Sequence, residues 1–250
     1  MANSSNSLPT KVALVTGGAR RIGSEIVRCL HAEGMNIALH YLSSLDDARQ
    51  LSDQLNATRA GSVQLFEADL RDDAAITEML TSVATAFTRL DVLVNNASQF
   101  FATPLGSVTD AAYQQLLDIN LKAPLFLAQA AMPQLEKTKG CIINIADIYA
   151  RQPLIGHAVY SAAKAGLVML TRSLALDLGP YIRVNAISPG AILWPESGAD
   201  DMQRAAILAK TPMARVGDPS DIAQAVLFLV RDAPYVTGQV IRVDGGRAIG

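Results

Sequence analysis

Short apolar runs recur along the chain, each closed by Gly, Asn, Asp or Ser and followed by apolar residues at helical spacing. Lys11–Thr16, Met35–Tyr41, Ser62–Ala68, Leu90–Asn95, Cys141–Ala146, Ile182–Ile187 and Val240–Val243 read as buried strands. The segment from Gly23 through Leu30, and then Asp46–Asn56, Asp73–Phe87, Thr109–Leu135, Tyr160–Leu178 and Ser220–Val230, read as helices. In the Thr109 helix, Pro124 marks a kink and Pro133 the end, and Ala191–Gly217 reads as a loop. Strands alternating with helices require right-handed crossovers, hence a parallel sheet covered on both faces. No Gly/Ser/Pro-rich linker and no internal repeat interrupts the pattern. The expectation is one α/β domain over 11–250, with a doubly wound sheet, behind a flexible polar tail over 1–10.

Composition narrows the function classes. A chain of 250 residues, half of them hydrophobic, buries one large core. Net charge is −2 without a Lys/Arg run, so nucleic acid is not an expected partner. No uninterrupted apolar run reaches the roughly 20 residues of a membrane span, and the start carries no apolar leader. Cys29 and Cys141 sit in apolar periodic segments and form neither a metal nor a disulfide pattern. These features point to a cytoplasmic protein.

Candidate chemistry lies where strands end, because ligands of such sheets bind outside the strands' carboxyl ends. The first strand runs into Gly17-Gly18-Ala-Arg20-Arg21-Ile22-Gly23 and a helix, the context in which glycines admit a pyrophosphate to free helix N–H groups. The second strand ends in His40-Tyr41-Leu42-Ser43-Ser44 with no carboxylate before Asp46, which belongs to the next helix's first turn. Hydroxyls with Arg20 suit a 2′-phosphate, so NADPH is expected over NADH. Asp69, Asn95–Ser98, Asp147 and Pro189–Gly190 follow other strands and converge on the same edge. Tyr160 and Lys164 are four apart on one helix face, so a fixed ammonium is expected to lower the phenol toward working pH. By itself, Tyr-x-x-x-Lys is a weak signal; the convergence raises it.

Thr16-Gly17…Gly23, Asp69, Asn95-Asn96-Ala97, Asn120, Tyr160-x-x-x-Lys164, Pro189-Gly190 and Val236-Thr-Gly…Val243-Asp-Gly-Gly246 together resemble the short-chain dehydrogenase/reductase family across the whole chain. The resemblance implies a Rossmann fold, hydride transfer from NADPH, Tyr160 as acid, Lys164 on the nicotinamide ribose, Asn120 anchoring a water to Lys164, and a homotetramer. It extends the nucleotide-binding set to Ile22, Leu70, Asn96 and Ala97. Two positions depart from the common pattern: Arg21 replaces a glycine, and Asp147 replaces the serine that hydrogen-bonds a ketone. Both, with Leu39-His40-Tyr41, Thr103-Pro-Leu105 and Gln152-Pro-Leu154, resemble the pteridine reductase branch. By that resemblance Phe100 stacks on a pterin, Ser98 contacts it, and Arg21 bridges pyrophosphate and pterin. Trp194 reads equally as a lid over substrate or a hydrophobic plug. The alternatives are a carbonyl reductase acting on a 3-oxoacyl thioester or a sugar, and a non-catalytic nucleotide-binding regulator.

Overall fold

Val12–Val15 (β1) is apolar at every position because its alternate residues serve two cores. Ala13 and Val15 pack with one set of helices, Val12 and Leu14 with the other. The structure, a computed structural model, describes residues 8–194 and 201–249. Six more strands follow: β2 (Asn36–Tyr41), β3 (Val63–Glu67), β4 (Val92–Asn95), β5 (Cys141–Ile145), β6 (Arg183–Pro189) and β7 (Val240–Val243). They form one sheet in the order β3-β2-β1-β4-β5-β6-β7, parallel throughout.

Helices α1 (Arg21–Ala32) and α2 (Leu45–Thr58) cover one face with the late helix Pro219–Leu227. On the other face lie α3 (Asp73–Phe87), α4 (Asp110–Leu117), α5 (Ala123–Thr138) and α6 (Ala158–Leu178). One further helix, α7 (Asp201–Ala209), precedes that late helix, α8 (Pro219–Leu227), which runs on into a π-helical turn, Phe228–Asp232. Local chemistry sets the boundaries. The Asp72 carboxylate accepts the first N–H groups of α3, and Asp218 with Asp221 forms a capping box around Pro219 at α8.

Three expectations change. The Thr109 helix is two helices joined by a π-helical turn, Asp118–Lys122, and it continues past Pro133 to Thr138. The lost Pro133 bond is outweighed by the buried Leu135 and by Lys139, whose left-handed backbone closes the helix. The stretch 191–217 contains α7, which buries little of its surface and so left a faint periodic signal. Leu8 is 2% exposed and Thr10 N–H donates to Gly34, so packed structure begins inside the expected tail; positions 1–7 lie outside the described residues.

Candidate functional site

The chain leaves β1 toward one edge of the sheet and β4 toward the other, which opens a crevice beyond their carboxyl ends. Its floor is the glycine loop. Gly17 has φ +59°, and a Cβ on Gly23 would lie 2.1 Å from the Gly17 carbonyl oxygen, so neither position tolerates a side chain. Asn96 fastens this loop to β4, its amide donating to the carbonyls of Thr16 (2.9 Å) and Gly17 (3.0 Å). The N–H groups of Asn96 and Ala97 in turn donate to the Thr16 hydroxyl. Arg20 makes no side-chain cap on α1, and the helix's own first turn holds no acid, so its N-terminal end faces the crevice with no carboxylate of its own. That is a phosphate cradle. A cavity of about 390 Å³ opens above it, lined by Arg20, Arg21, Ile22, Ser43, Ser44, Leu70, Ala97 and Ser98 among others.

Two expected nucleotide residues have their polar atoms engaged elsewhere. His40 is buried; it accepts the Gly17 N–H on Nδ1 (3.0 Å) and its Nε2 donates to the Ala68 carbonyl (3.0 Å), so it shapes the loop. Burial holds its pKa below the ordinary value and keeps it neutral. The Tyr41 hydroxyl donates to Glu67. Arg20 lies 3.5 Å from Asp47, but both are half exposed, and such a pair contributes little against a competing phosphate. Asp69 is paired with Arg71 at the rim of this cavity, outside its lining.

A second cavity, about 430 Å³, shares Arg21, Ile22, Asn96 and Ser98 with the first. It holds Asp147 from the end of β5 and Tyr160 and Lys164 from α6, with Pro189, Gly190 and Trp194 after β6. The Tyr160 hydroxyl donates to Asp147 Oδ2 at 2.7 Å, and the Tyr149 N–H donates to Oδ1. Lys164 Nζ donates to the Ile145 carbonyl (2.9 Å) and lies 5.8 Å from the Tyr160 ring centre. Burial, then the Asp147 charge and hydrogen bond, push the Tyr160 pKa up. Burial likewise raises Asp147, against the pull of Tyr149, Tyr160, Lys164 and Arg247. Burial lowers Lys164 to about 8, partly offset by Asp147. The expectation that Lys164 lowers the phenol is therefore corrected: the nearer carboxylate and burial win.

Phe100 is 54% exposed at the mouth, stacked on His157 (centroids 4.6 Å, 11°) and edge-on to Tyr160 (4.8 Å). It is not core, so one face remains open to a flat ligand. Trp194 lies under the Arg204 guanidinium of α7 at 5.3 Å, which makes it a wall of the cavity held from outside. Asn120, on the π turn, accepts from the Ser98 hydroxyl (2.7 Å) and donates to Gln99 and Leu116 carbonyls. It positions Ser98. Sequence reasoning missed Tyr149, Ile207 and Arg247 in the cavity wall. Arg247 follows β7, so the strand-end rule applied to that last strand would have found it.

Comparison with known proteins extends this picture. A family model described as enoyl-(acyl carrier protein) reductase matches residues 17–248. Pteridine reductase 1 of Leishmania tarentolae is 37% identical, over 95% of this chain and 96% of its own. The 3-oxoacyl-(acyl-carrier-protein) reductase FabG of Staphylococcus aureus is also 37% identical, over 95% of this chain and 98% of its own. A solved structure of a blue fluorescent protein from a metagenomic library, in complex with NADPH, superposes with a TM-score of 0.91. It is 38% identical and covers 97% of this chain and 99% of its own.

Proposed function

The chain belongs to the short-chain dehydrogenase/reductase family of oxidoreductases, and on that premise we propose that it is an NADPH-dependent pteridine reductase. The cofactor fits the residues present: a glycine cradle that a Cβ would fill, an uncapped helix start, and serines in place of a carboxylate after β2. Asn96, Ser43, Ser44 and Arg20 would hold it, and bound there it supplies a hydride from the nicotinamide ring.

One observation carries the substrate reading: the carboxylate of Asp147 accepts the Tyr160 hydroxyl inside the cavity. A ketone reductase needs a hydroxyl donor at that place, and an ionised carboxylate has no proton to give. A dihydropterin ring carries N–H and amino donors for Asp147 and an imine nitrogen that must gain a proton. With its pKa raised, Tyr160 stays protonated through the working range and retains the proton for that nitrogen. Lys164, near 8, is mostly charged at neutral pH and opposes the buried Asp147 charge. The three titrate as a coupled set. A second reading, reduction of a 3-oxoacyl thioester, is favoured by the equal identity to FabG and by Leu105 (97%) and Ile155 (96%), almost fully exposed.

The test is NADPH oxidation with dihydrobiopterin or dihydrofolate against an acetoacetyl thioester. We expect turnover of pterins only. Asp147→Ser should then cut pterin reduction by about 10²–10⁴-fold, and its loss should be far from additive with that of Tyr160→Phe. Thioester turnover exceeding pterin turnover in the parent would reverse the assignment.

A further inference from the structure

Arg247 carries a charge that nothing among the described residues neutralises. Its guanidinium lines the cavity that holds Asp147, Tyr160 and Phe100. Its one hydrogen bond there is a long one, 3.5 Å, to the Tyr149 hydroxyl. It biases Asp147 electrostatically but does not reach ion-pair distance. The backbone beneath it is fixed from several sides. Asp244 accepts the Gly246 and Ala248 N–H groups (2.9 Å each), and Arg247 N–H donates to the Asp244 carbonyl. The Gln152 amide holds the Ala248 carbonyl at 2.7 Å, and the Met213 N–H holds that of Gly245 at 3.1 Å. A cation kept this firmly in a cavity wall, beside a carboxylate it does not pair with, leaves two opposite charges with room between them.

We propose that Arg247 is the substrate-orienting residue of this site, donating to a carbonyl-type oxygen on the ring edge whose N–H and amino groups face Asp147. An ionised carboxylate only accepts and a guanidinium only donates. The pair therefore reads an edge that sets donors beside an acceptor, as the amino, N–H and carbonyl groups on the lactam edge of a pterin do. A 3-oxoacyl chain offers oxygens to Arg247 but no donor to Asp147. The proposal rests on the pteridine reading and adds to it the residue that fixes which edge of the ring enters first. It makes Arg247 a positioning residue, with Tyr149 as its support.

Arg247→Ala and Arg247→Lys in the full chain, assayed with dihydrobiopterin and NADPH, test it. Loss of one charge-assisted bond should raise KM about tenfold or more, with NADPH affinity unchanged and Arg247→Lys intermediate. Millimolar guanidinium should restore part of the activity of Arg247→Ala and none in the parent. An unmoved KM in Arg247→Ala overturns the role. So does a fallen thermal midpoint accompanied by activity that guanidinium does not restore, since that is the behaviour of a structural tie. If the parent turns over no dihydropterin, the pteridine reading fails and the role with it. If the parent does and the KM of Arg247→Ala is unmoved, only the role fails.

Discussion

At the scale of the residue, the site keeps charges where a stable fold would not. Lys164 is fully buried with a pKa lowered to about 8, against 10.5 for a free lysine. Between those values the unfolded chain binds the extra proton and the folded chain does not, so stability attributable to Lys164 rises with pH across that window. Below about 8 the full penalty is present. Replacing Lys164 by Met should remove this dependence: parent and variant melting midpoints, measured from pH 7 to 10, should draw together as pH rises if the variant is the more stable. Parallel curves would mean that the amine keeps its ordinary titration. Phe100 makes the opposite case. Half exposed, it stabilises little, yet base stacking on an aromatic ring is worth roughly 1–3 kcal/mol. Phe100→Ala should raise the pterin KM and barely move the melting midpoint; a large loss of stability with unchanged KM would make it a packing residue. Both side chains were legible as a motif, but their energetics were not. The upward shift of Tyr160 comes first from burial and then from Asp147, whose hydrogen bond at 2.7 Å no sequence spacing states.

At the scale of the element, irregular backbone gathers around the crevice. Arg21 takes φ +53° at the start of α1, a left-handed conformation that costs a non-glycine residue about 1 kcal/mol. Arg21→Gly should therefore raise the melting midpoint and lower catalytic efficiency, because the guanidinium that lines both cavities is lost. A variant that is both less stable and equally active would contradict this. Gly23→Ala should abolish nucleotide binding outright, given the 2.1 Å approach to the Gly17 carbonyl. The π turn Asp118–Lys122 is another such irregularity. It aims Asn120 at Ser98, and such turns recur at functional sites. The sequence announced strands, caps and the glycine loop by local chemistry. It could not announce the π turn or the survival of α5 past Pro133, since both are decided by packing against distant elements.

At the scale of the whole molecule, the strand order put five separate strand ends on one edge, and that is why scattered Asp, Asn, Tyr, Lys and Pro-Gly positions could be read as one site before any contact was known. Tyr149 and Ile207 escaped because no motif marks them, and Arg247 because the strand-end rule was not carried to β7. Leu125 on α5 and Met169 and Leu176 on α6 stand exposed on the outer helical layer. We propose that the chain is a homotetramer, for which these side chains are available contacts. Sedimentation should give about four times the monomer mass, and Leu176→Glu should reduce it if this face is used. A monomer at all concentrations would end the proposal.

The buried histidine beneath the glycine loop sets an order of events in acid. His40 Nδ1 must keep its lone pair to receive the Gly17 N–H. Burial disfavours its protonation in the fold, against the opposing influence of the Ala68 carbonyl and Asp69. As pH falls below about 6.5, the unfolded chain takes up a proton that the fold resists, and stability drains away until the folded pKa is passed. When the ring does protonate, the first thing to lose its partner is the phosphate cradle, while the sheet beyond it stays paired. On acidification the molecule should release its nucleotide before it unfolds, with NADPH affinity falling at a pH where the far-ultraviolet spectrum is still native.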